Sequence, residues 1–240
     1  MTDVCPARTR AVRLDAPRES FSALTDFYRD GLGLEALERS PSLLAVRVGA
    51  TRLDFRAARP GALPFYHFAI LVPGNRFTAA RDWVGERADL LPDPETGETT
   101  FDFDNWDALA CYCHDPAGNI VELIAVRGLS ATGSPDELFD SRDLLAVAEI
   151  GLVGPDTAAI AETLAREAGI RVWDGTVDQS DRLAFAGELG STVILSPTGR
   201  GWLPTGRPAE VHSIEIVFTG DRDADVQVPQ LPYRVRVVRR

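Results

Sequence analysis

Two residues of this 240-residue chain place a reactive side chain in an apolar, strand-like setting: His67 and Glu122. His67 precedes Phe68 and Ala69, and Glu122 lies inside the apolar run 120–124. An unpaired carboxylate is costly to bury in such a strand, so a metal ion or a cationic partner would explain Glu122. A neutral imidazole and a carboxylate together bind divalent Zn, Fe, Mn, Co or Ni. The same letters also fit a hydrogen-bonded core histidine and an edge-strand glutamate that faces water, and these alternatives stay open.

A second charged set lies on another predicted strand, where Arg52, Asp54 and Arg56 alternate with Leu53 and Phe55. Alternation with a period of two predicts that one face of this strand is polar. That face either lines a cleft or meets solvent. Asp54 is therefore a candidate ligand or catalytic carboxylate, and a surface ion pair with Arg52 or Arg56 explains the same letters.

A repeated β-α-β-β-β unit is predicted to position these residues, because strand and helix periodicities recur in the same order along the chain. We predict the elements of three copies at 11–14, 21–28, 43–48 and 52–56, at 66–72, 77–84, 100–103, 109–113 and 120–125, and at 148–153, 157–168, 170–173, 182–186 and 192–195. The run 211–218 predicts the opening strand of a fourth unit, with 233–238 as a final strand. This order predicts an α+β fold of repeated βαβββ modules.

The predicted domain organisation follows from composition shifts along the chain. A disordered segment is expected at 1–10, a domain of paired modules at 11–127, a polar linker at 128–141 and a C-terminal module with extra strands at 142–240. The linker is rich in Gly, Ser, Pro and acidic residues, which is typical of a boundary between packed units.

Charge and cysteine content exclude several classes of function. Lys and Arg number 25 against 36 Asp and Glu, a net charge of −11, which disfavours nucleic acid and anionic membranes as partners. No stretch approaches the roughly 20 apolar residues of a membrane span, and the start of the chain carries no apolar signal core, so a cytoplasmic location is expected. Cys5, Cys111 and Cys113 are an odd number and predict reduced thiols.

Three motifs together resemble the vicinal oxygen chelate superfamily, which includes glyoxalases and extradiol dioxygenases. They are FYRDGLGL at 27–34, HFAI at 67–70 and DPAGNIVEL at 115–123, and the resemblance covers about residues 11–127. It implies that paired modules form a cleft of curved sheets around a divalent metal, either Fe, Mn, Ni, Co or Zn. In that superfamily the metal ligands lie on the first and last strands of the paired modules.

The resemblance implies a site when it is carried over residue by residue. His67 and Glu122 fall at ligand positions of the second module, and Asp54 falls near the ligand position on the last strand of the first module. Arg13 falls near the histidine position of the first module, where its guanidinium cannot bind a metal but could hold an anionic substrate group. The substrate-binding residues expected in the cleft are Arg13, Arg52, Trp106 and Tyr112.

The third module is predicted to be partial, acting as a structural or capping unit. Glu149 aligns there with His67, and Ile194 aligns with Glu122, so a complete second metal site is not expected. His212 opens the aborted fourth unit at a position that also corresponds to His67. Trp202 lies in a loop that either folds over the cleft or plugs the third module.

The function implied by the resemblance is that of a metal-dependent lyase, isomerase or dioxygenase acting on a small oxygen-rich molecule, in which Glu122 or Asp54 also moves a proton. A glyoxalase-like reaction ranks above ring cleavage, because extradiol enzymes need two histidines and this site offers one. The alternative is a metal-free binding protein like the bleomycin-sequestering members, which the replacement of a ligand by Arg13 favours. A homodimer is expected in either case.

Overall fold

The computed structural model describes residues 8–129, 131–134, 137–177 and 182–240. Residues 1–7, which make up most of the segment predicted to be disordered and include Cys5, lie outside the described residues. Thr9 and Arg10 already belong to the first strand. None of the helices in the described ranges has the length and apolarity to cross a lipid bilayer.

The strands and helices form three complete βαβββ modules and a shorter fourth unit. The first module contains β1 (Thr9–Ala16), α1 (Phe21–Thr25, extended by a π-helical turn over Asp26–Gly31), β2 (Ala36–Ser40), β3 (Leu43–Val48) and β4 (Thr51–Ala57). The second contains β5 (His67–Val72), α2 (Phe77–Gly85), β6 (Phe101–Phe103), β7 (Ala108–His114) and β8 (Ile120–Val126). The third contains β9 (Ala146–Gly154), α3 (Thr157–Thr163, extended over Leu164–Ala168), β10 (Val172–Gly175), β11 (Ala184–Glu188) and β12 (Ser191–Pro197).

The remaining strands complete the chain and include elements that the sequence did not predict. They are the hairpin of β13 (Gly201–Trp202) and β14 (Arg207–Pro208), followed by β15 (Ile214–Gly220), β16 (Ala224–Gln227) and β17 (Tyr233–Arg239). Short 3-10 turns lie at Arg18–Ser20, Asp104–Trp106 and Ser141–Asp143. The predicted α+β fold of βαβββ modules is confirmed, and the third module, expected to be partial, has all of its strands.

The modules pair differently from the expectation that the first two share one cleft. One sheet has the order β16-β17-β15-β1-β4-β3-β2 and the other has the order β10-β11-β12-β9-β5-β8-β7-β6. The first module thus pairs with the fourth unit, and the second pairs with the third. Each opening strand, β1 or β5, is parallel to the last strand of its own module and antiparallel to the opening strand of another. Local periodicity does not specify which other module supplies that strand.

The central strands of the eight-stranded sheet are buried on both faces. Every residue of β5, β8 and β9 is buried. One face contributes to a core shared with the other sheet and the helices, through residues such as Phe68, Ile150 and Leu123. The opposite face carries a second apolar cluster that includes Ala69 and Trp202. Any polar side chain on these strands is therefore withdrawn from water.

Two of the sequence motifs meet in a buried hydrogen-bond network. The Tyr28 hydroxyl, at the end of the first helix, donates to Asp115 Oδ2 over 2.8 Å. Asp115 also accepts from the Asn119 backbone N–H and side-chain amide. Asn119 Oδ1 in turn accepts from the backbone N–H of Tyr66, the residue before β5, over 2.8 Å. This network fixes the start of β5 beside the start of β8.

Gly49 offers a test of how the β3–β4 hairpin is held. Gly49 and Gly97 both have positive φ, at +53° and +77°, but a Cβ at Gly49 would overlap the carbonyl oxygens of Leu144 and Leu145, whereas a Cβ at Gly97 meets nothing within 4 Å. Gly97→Ala should lower the free energy of unfolding by about 1–2 kcal/mol from backbone strain alone. Gly49→Ala adds overpacking and should lose about 2–5 kcal/mol. Urea denaturation of both variants checks this, and equal losses would mean that the contact with Leu144 and Leu145 is loose.

Candidate metal and substrate site

Three buried polar residues lie on three adjacent strands of the eight-stranded sheet. Ala69 on β5 pairs with Glu122 on β8 at one side and with Glu149 on β9 at the other. His67 lies two residues before Ala69 on the same strand, and so projects from the same face. His67, Glu122 and Glu149 are only 6%, 3% and 4% exposed. The sheet register therefore brings one imidazole and two carboxylates into one apolar pocket.

His67 and Glu122 have the geometry of neighbouring ligands. His67 Nε2 lies 3.3 Å from Glu122 Oε2. Two donors bonded to one cation at about 2.1 Å, with an angle of about 90–110° between the bonds, are separated by about 3.0–3.4 Å. His67 Nδ1 is buried and has no hydrogen-bond partner among the described residues.

The two carboxylates oppose each other electrostatically. Burial raises the pKa of Glu149 well above its ordinary value of 4.5, and the nearby Glu122 carboxylate raises it further. Burial likewise raises the pKa of Tyr112, as do the charges of Glu122 and Glu149. Tyr112, which is opposite Glu122 in register, therefore keeps its hydroxyl proton. A divalent cation between the carboxylates would remove the repulsion.

These residues line a pocket of about 170 Å³ whose walls include five aromatic side chains. Its other lining residues are Phe103, Asn105, Trp106, Tyr112, Asp174, Leu183, Phe185, Ile194, Arg200, Trp202 and Leu203. The Trp106 indole N–H donates to Asp174 Oδ2 over 2.7 Å, and the Trp106 ring contacts Phe185 edge-on. Flat aromatic walls suit a small planar ligand.

Trp202, on the β13–β14 hairpin, covers His67. Its ring centroid lies 4.9 Å from that of His67. It also lies directly over Gly151, where a Cβ would come within 2.7 Å of the indole. The hairpin is held at Arg207, whose guanidinium lies 3.3 Å from the Phe65 ring centroid and donates to the backbone carbonyl of Gly118. The loop therefore folds over the cleft, which is one of the two alternatives from the sequence.

The structure separates the other predicted site residues from this pocket. Asp54, Arg13 and Arg52 lie on the seven-stranded sheet, where Asp54 pairs with Arg13 Nη2 at 3.2 Å and with Arg52 Nε at 2.7 Å. Asp54 is therefore not brought to His67 as a third donor, and the two arginines do not line the cleft. The cause is the pairing of modules, which places the first and second modules in different sheets. Trp106 and Tyr112 line the pocket, and their role in substrate binding stays a prediction.

Glu149 was not predicted as a ligand, although it has the same sequence signal as Glu122. Both carboxylates interrupt a run of apolar residues long enough to cross a buried sheet. Ile194, which aligns with Glu122 in the third module, lines the pocket but has no atom that can bind a metal. His212 does not join Glu149: it contacts Phe65 and Tyr66, lies 3.1 Å from Glu210, and has a pKa lowered by burial.

The donor set fits a divalent cation in chemistry and is incomplete in geometry. An imidazole with two carboxylates suits Mn, Fe, Co, Ni or Zn. Within the described ranges, however, no three His, Cys, Asp or Glu side chains already form a metal-binding group. His67 and Glu122 are preset, and the Glu149 side chain would have to turn toward them.

Comparisons with known proteins establish the fold. No protein-family model matches the sequence, and no curated protein matches it either. Among solved structures, a candidate dioxygenase from Bacillus subtilis is 14% identical with a TM-score of 0.58, covering 95% of this chain and 84% of that one. Glyoxalase I from Zea mays is 14% identical with a TM-score of 0.53, covering 97% and 92%. The chain thus has the fold of the vicinal oxygen chelate superfamily, as the sequence motifs indicated.

The contact between Gly151 and Trp202 predicts a measurable coupling. Gly151→Ala should lower the free energy of unfolding by about 1–3 kcal/mol, because the new methyl group displaces the indole. In a Trp202→Phe background the smaller ring leaves room, so the same substitution should cost less than about 1 kcal/mol. A double-mutant cycle from denaturant unfolding measures the difference. Equal penalties in both backgrounds would show that Trp202 does not rest on Gly151.

Proposed function

We propose that this protein is a metal-dependent enzyme in which His67, Glu122 and Glu149 hold a divalent cation and a small oxygen-rich molecule binds in the aromatic pocket. One observation carries the proposal: two buried carboxylates share the pocket with a buried imidazole that has an unpartnered nitrogen. The cation would act as a Lewis acid that polarises vicinal oxygens of the bound molecule.

The chain's own residues have separate roles in this proposal. His67 and Glu122 provide the preset pair of donors, and Glu149 provides the third from the opposite side of Ala69. The protonated hydroxyl of Tyr112 hydrogen-bonds to Glu122 and would orient that carboxylate at the cation. Trp106 and Trp202 both line the pocket and would contact a bound planar group while excluding water.

Arg200 is the candidate for contact with an anionic group of the substrate. Among the described residues that line the pocket, it is the only arginine or lysine. The cavity of about 170 Å³ is smaller than a typical drug-sized site of about 300–1,000 Å³. The proposed substrate is therefore a compact molecule.

The reaction class follows from the donor set. Non-haem iron oxygenases commonly use two histidines and one carboxylate, whereas this pocket offers one histidine and two carboxylates. We therefore place a glyoxalase-like lyase or isomerase reaction ahead of dioxygenation. Glu122 remains the candidate for moving a proton, and Asp54 is left out of that role because it lies on the other sheet.

A metal-free binding protein is the second candidate. Trp202 packs against His67, and Ile194 replaces the carboxylate that would align with Glu122 in the third module. The pocket could therefore bind a small molecule without catalysing a reaction. Metal content separates this candidate from the enzyme. The expected homodimer stays a prediction under both.

Elemental analysis tests the proposal directly. Protein purified without chelators or affinity-tag metals should carry about one equivalent of Mn, Fe, Co, Ni or Zn per chain, or take it up on reconstitution. His67→Ala, Glu122→Gln and Glu149→Gln should each weaken binding of the added metal by more than about 100-fold, since even supporting residues contribute 10–100-fold.

Asp54→Asn is the matched control, because Asp54 is also a buried carboxylate on the last strand of its module but lies on the other sheet. Its metal content should equal that of the unmodified protein. Loss of metal in Asp54→Asn but not in Glu149→Gln would show that Asp54, and not Glu149, is the third ligand. No metal after reconstitution would reject the enzyme and leave the binding protein.

A further inference from the structure

The eight-stranded sheet has two edge strands, β6 and β10, and a hydrogen bond joins their ends across the candidate pocket. β6 and β10 lie at opposite ends of the strand order. Trp106 ends the 3-10 turn that follows β6, and Asp174 lies on β10. The Trp106 indole N–H donates to Asp174 Oδ2 over 2.7 Å, and both residues line the pocket. The sheet therefore curves far enough for its two edges to meet at one side of the pocket.

A β-bulge in β10 turns Asp174 toward the pocket. In a regular strand Val172 and Asp174 would lie on the same face, because side chains alternate with a period of two. Val172 instead pairs with Ala186, and Asp174 pairs with Phe185, the neighbouring residue of β11. Ala186 packs in the core shared with the other sheet, whereas Phe185 lines the pocket. The extra residue in β10 therefore places the Asp174 side chain on the pocket face, and bulges commonly redirect a side chain in this way.

Asp174 is the polar contact that fixes the position of the Trp106 ring. The ring meets Phe185 edge-on with 4.4 Å between centroids, and its centroid lies 5.3 Å from that of Trp173. Apolar contacts are non-directional and let a ring shift along its neighbours, whereas a hydrogen bond fixes the indole N–H at one point. The indole has a single donor, and Asp174 accepts from it.

We propose that Asp174 is a positioning residue: by holding Trp106 as a fixed wall, it limits the size of the molecules that bind in the pocket. The volume of about 170 Å³ is that of the pocket with this wall in place. Without the hydrogen bond the Trp106 ring shifts, and a larger planar group gains access. The inference rests on the proposed function only in taking this pocket as the substrate site, and it does not require a bound metal.

A cysteine placed inside the pocket reports the accessible size without a known ligand. Ile194 lines the pocket, so Ile194→Cys provides a thiol there. The variant is made together with Cys5→Ser. The native Cys111 and Cys113 are buried in the core on the opposite face of the sheet, and burial raises the pKa of both thiols, which slows their reaction. A protein without Ile194→Cys measures what reaction of the native thiols remains.

The reagents are N-methylmaleimide and N-phenylmaleimide, which react by the same chemistry and differ by one planar ring. The ratio of the phenyl rate to the methyl rate is measured in EDTA and divided by the same ratio for glutathione. Asp174→Ala should raise this normalised ratio by about 10-fold or more, the change expected when a hydrogen bond to a charged group is lost. Asp174→Asn keeps an acceptor for the indole N–H and should raise it by less than about 3-fold.

A variant of the ring itself separates positioning from a general loosening of β10. Trp106→Phe removes the donor, so adding Asp174→Ala in that background should change the ratio by less than about 2-fold. The proposal is overturned if Asp174→Ala leaves the ratio unchanged, raises it equally in both backgrounds, or raises it no more than Asp174→Asn does. If Ile194→Cys does not fold, Leu183→Cys, at another lining residue, takes its place.

The outcome is independent of the metal proposal, because the rates are measured in EDTA. A protein that binds no metal on reconstitution would reject the enzyme and leave the role of Asp174 intact. A protein that binds metal but shows no effect of Asp174→Ala on the ratio would reject the positioning role alone.

Discussion

The burial of Glu122 and Glu149 on either side of Ala69 is the constraint on which the rest of the site depends. All three central strands of that sheet are buried on both faces, so water cannot neutralise the two charges. Removing an ion from water costs several kcal/mol unless a partner of opposite charge is supplied. The fold supplies His67 to Glu122 and no hydrogen-bonding cation to Glu149 in the described part of the chain. On the seven-stranded sheet the buried Asp54 pairs with Arg13 and Arg52, whose side chains are partly exposed to solvent.

Much of the fold could be predicted from the sequence because its signals are local. The DPAGN turn, the hairpin at Gly49 and the buried run 120–124 depend on residues that are neighbours in the chain, and the structure has each of them. β2 and β16 were missed because they are short strands at the sheet edges with largely exposed side chains, so each carries too few apolar residues to mark a strand. The pairing of modules depends on contacts between opening strands far apart in the chain, and any opening strand offers the same free edge.

Asp54 was predicted at the same site as His67 because the sequence does not specify which opening strands pair. Asp54 on β4 pairs in register with Arg13 on β1, whereas Glu122 on β8 pairs with Ala69 on β5. The prediction that Asp54 and His67 share one site was wrong because β9, not β1, lies beside β5. Glu149 was the better candidate on one physical ground, since a carboxylate inside an apolar nine-residue strand has no exposed face to turn toward.

The fold alone leaves the chemistry open, since relatives described as a glyoxalase and a candidate dioxygenase share it with this chain at 14% identity. The proposed metal ligands, His67, Glu122 and Glu149, narrow the range of substrates. Two carboxylates would neutralise a divalent cation, so the pocket would offer an anionic substrate little attraction from its centre. In the proposed function, attraction for an anionic group would have to come from Arg200, which also lines the pocket.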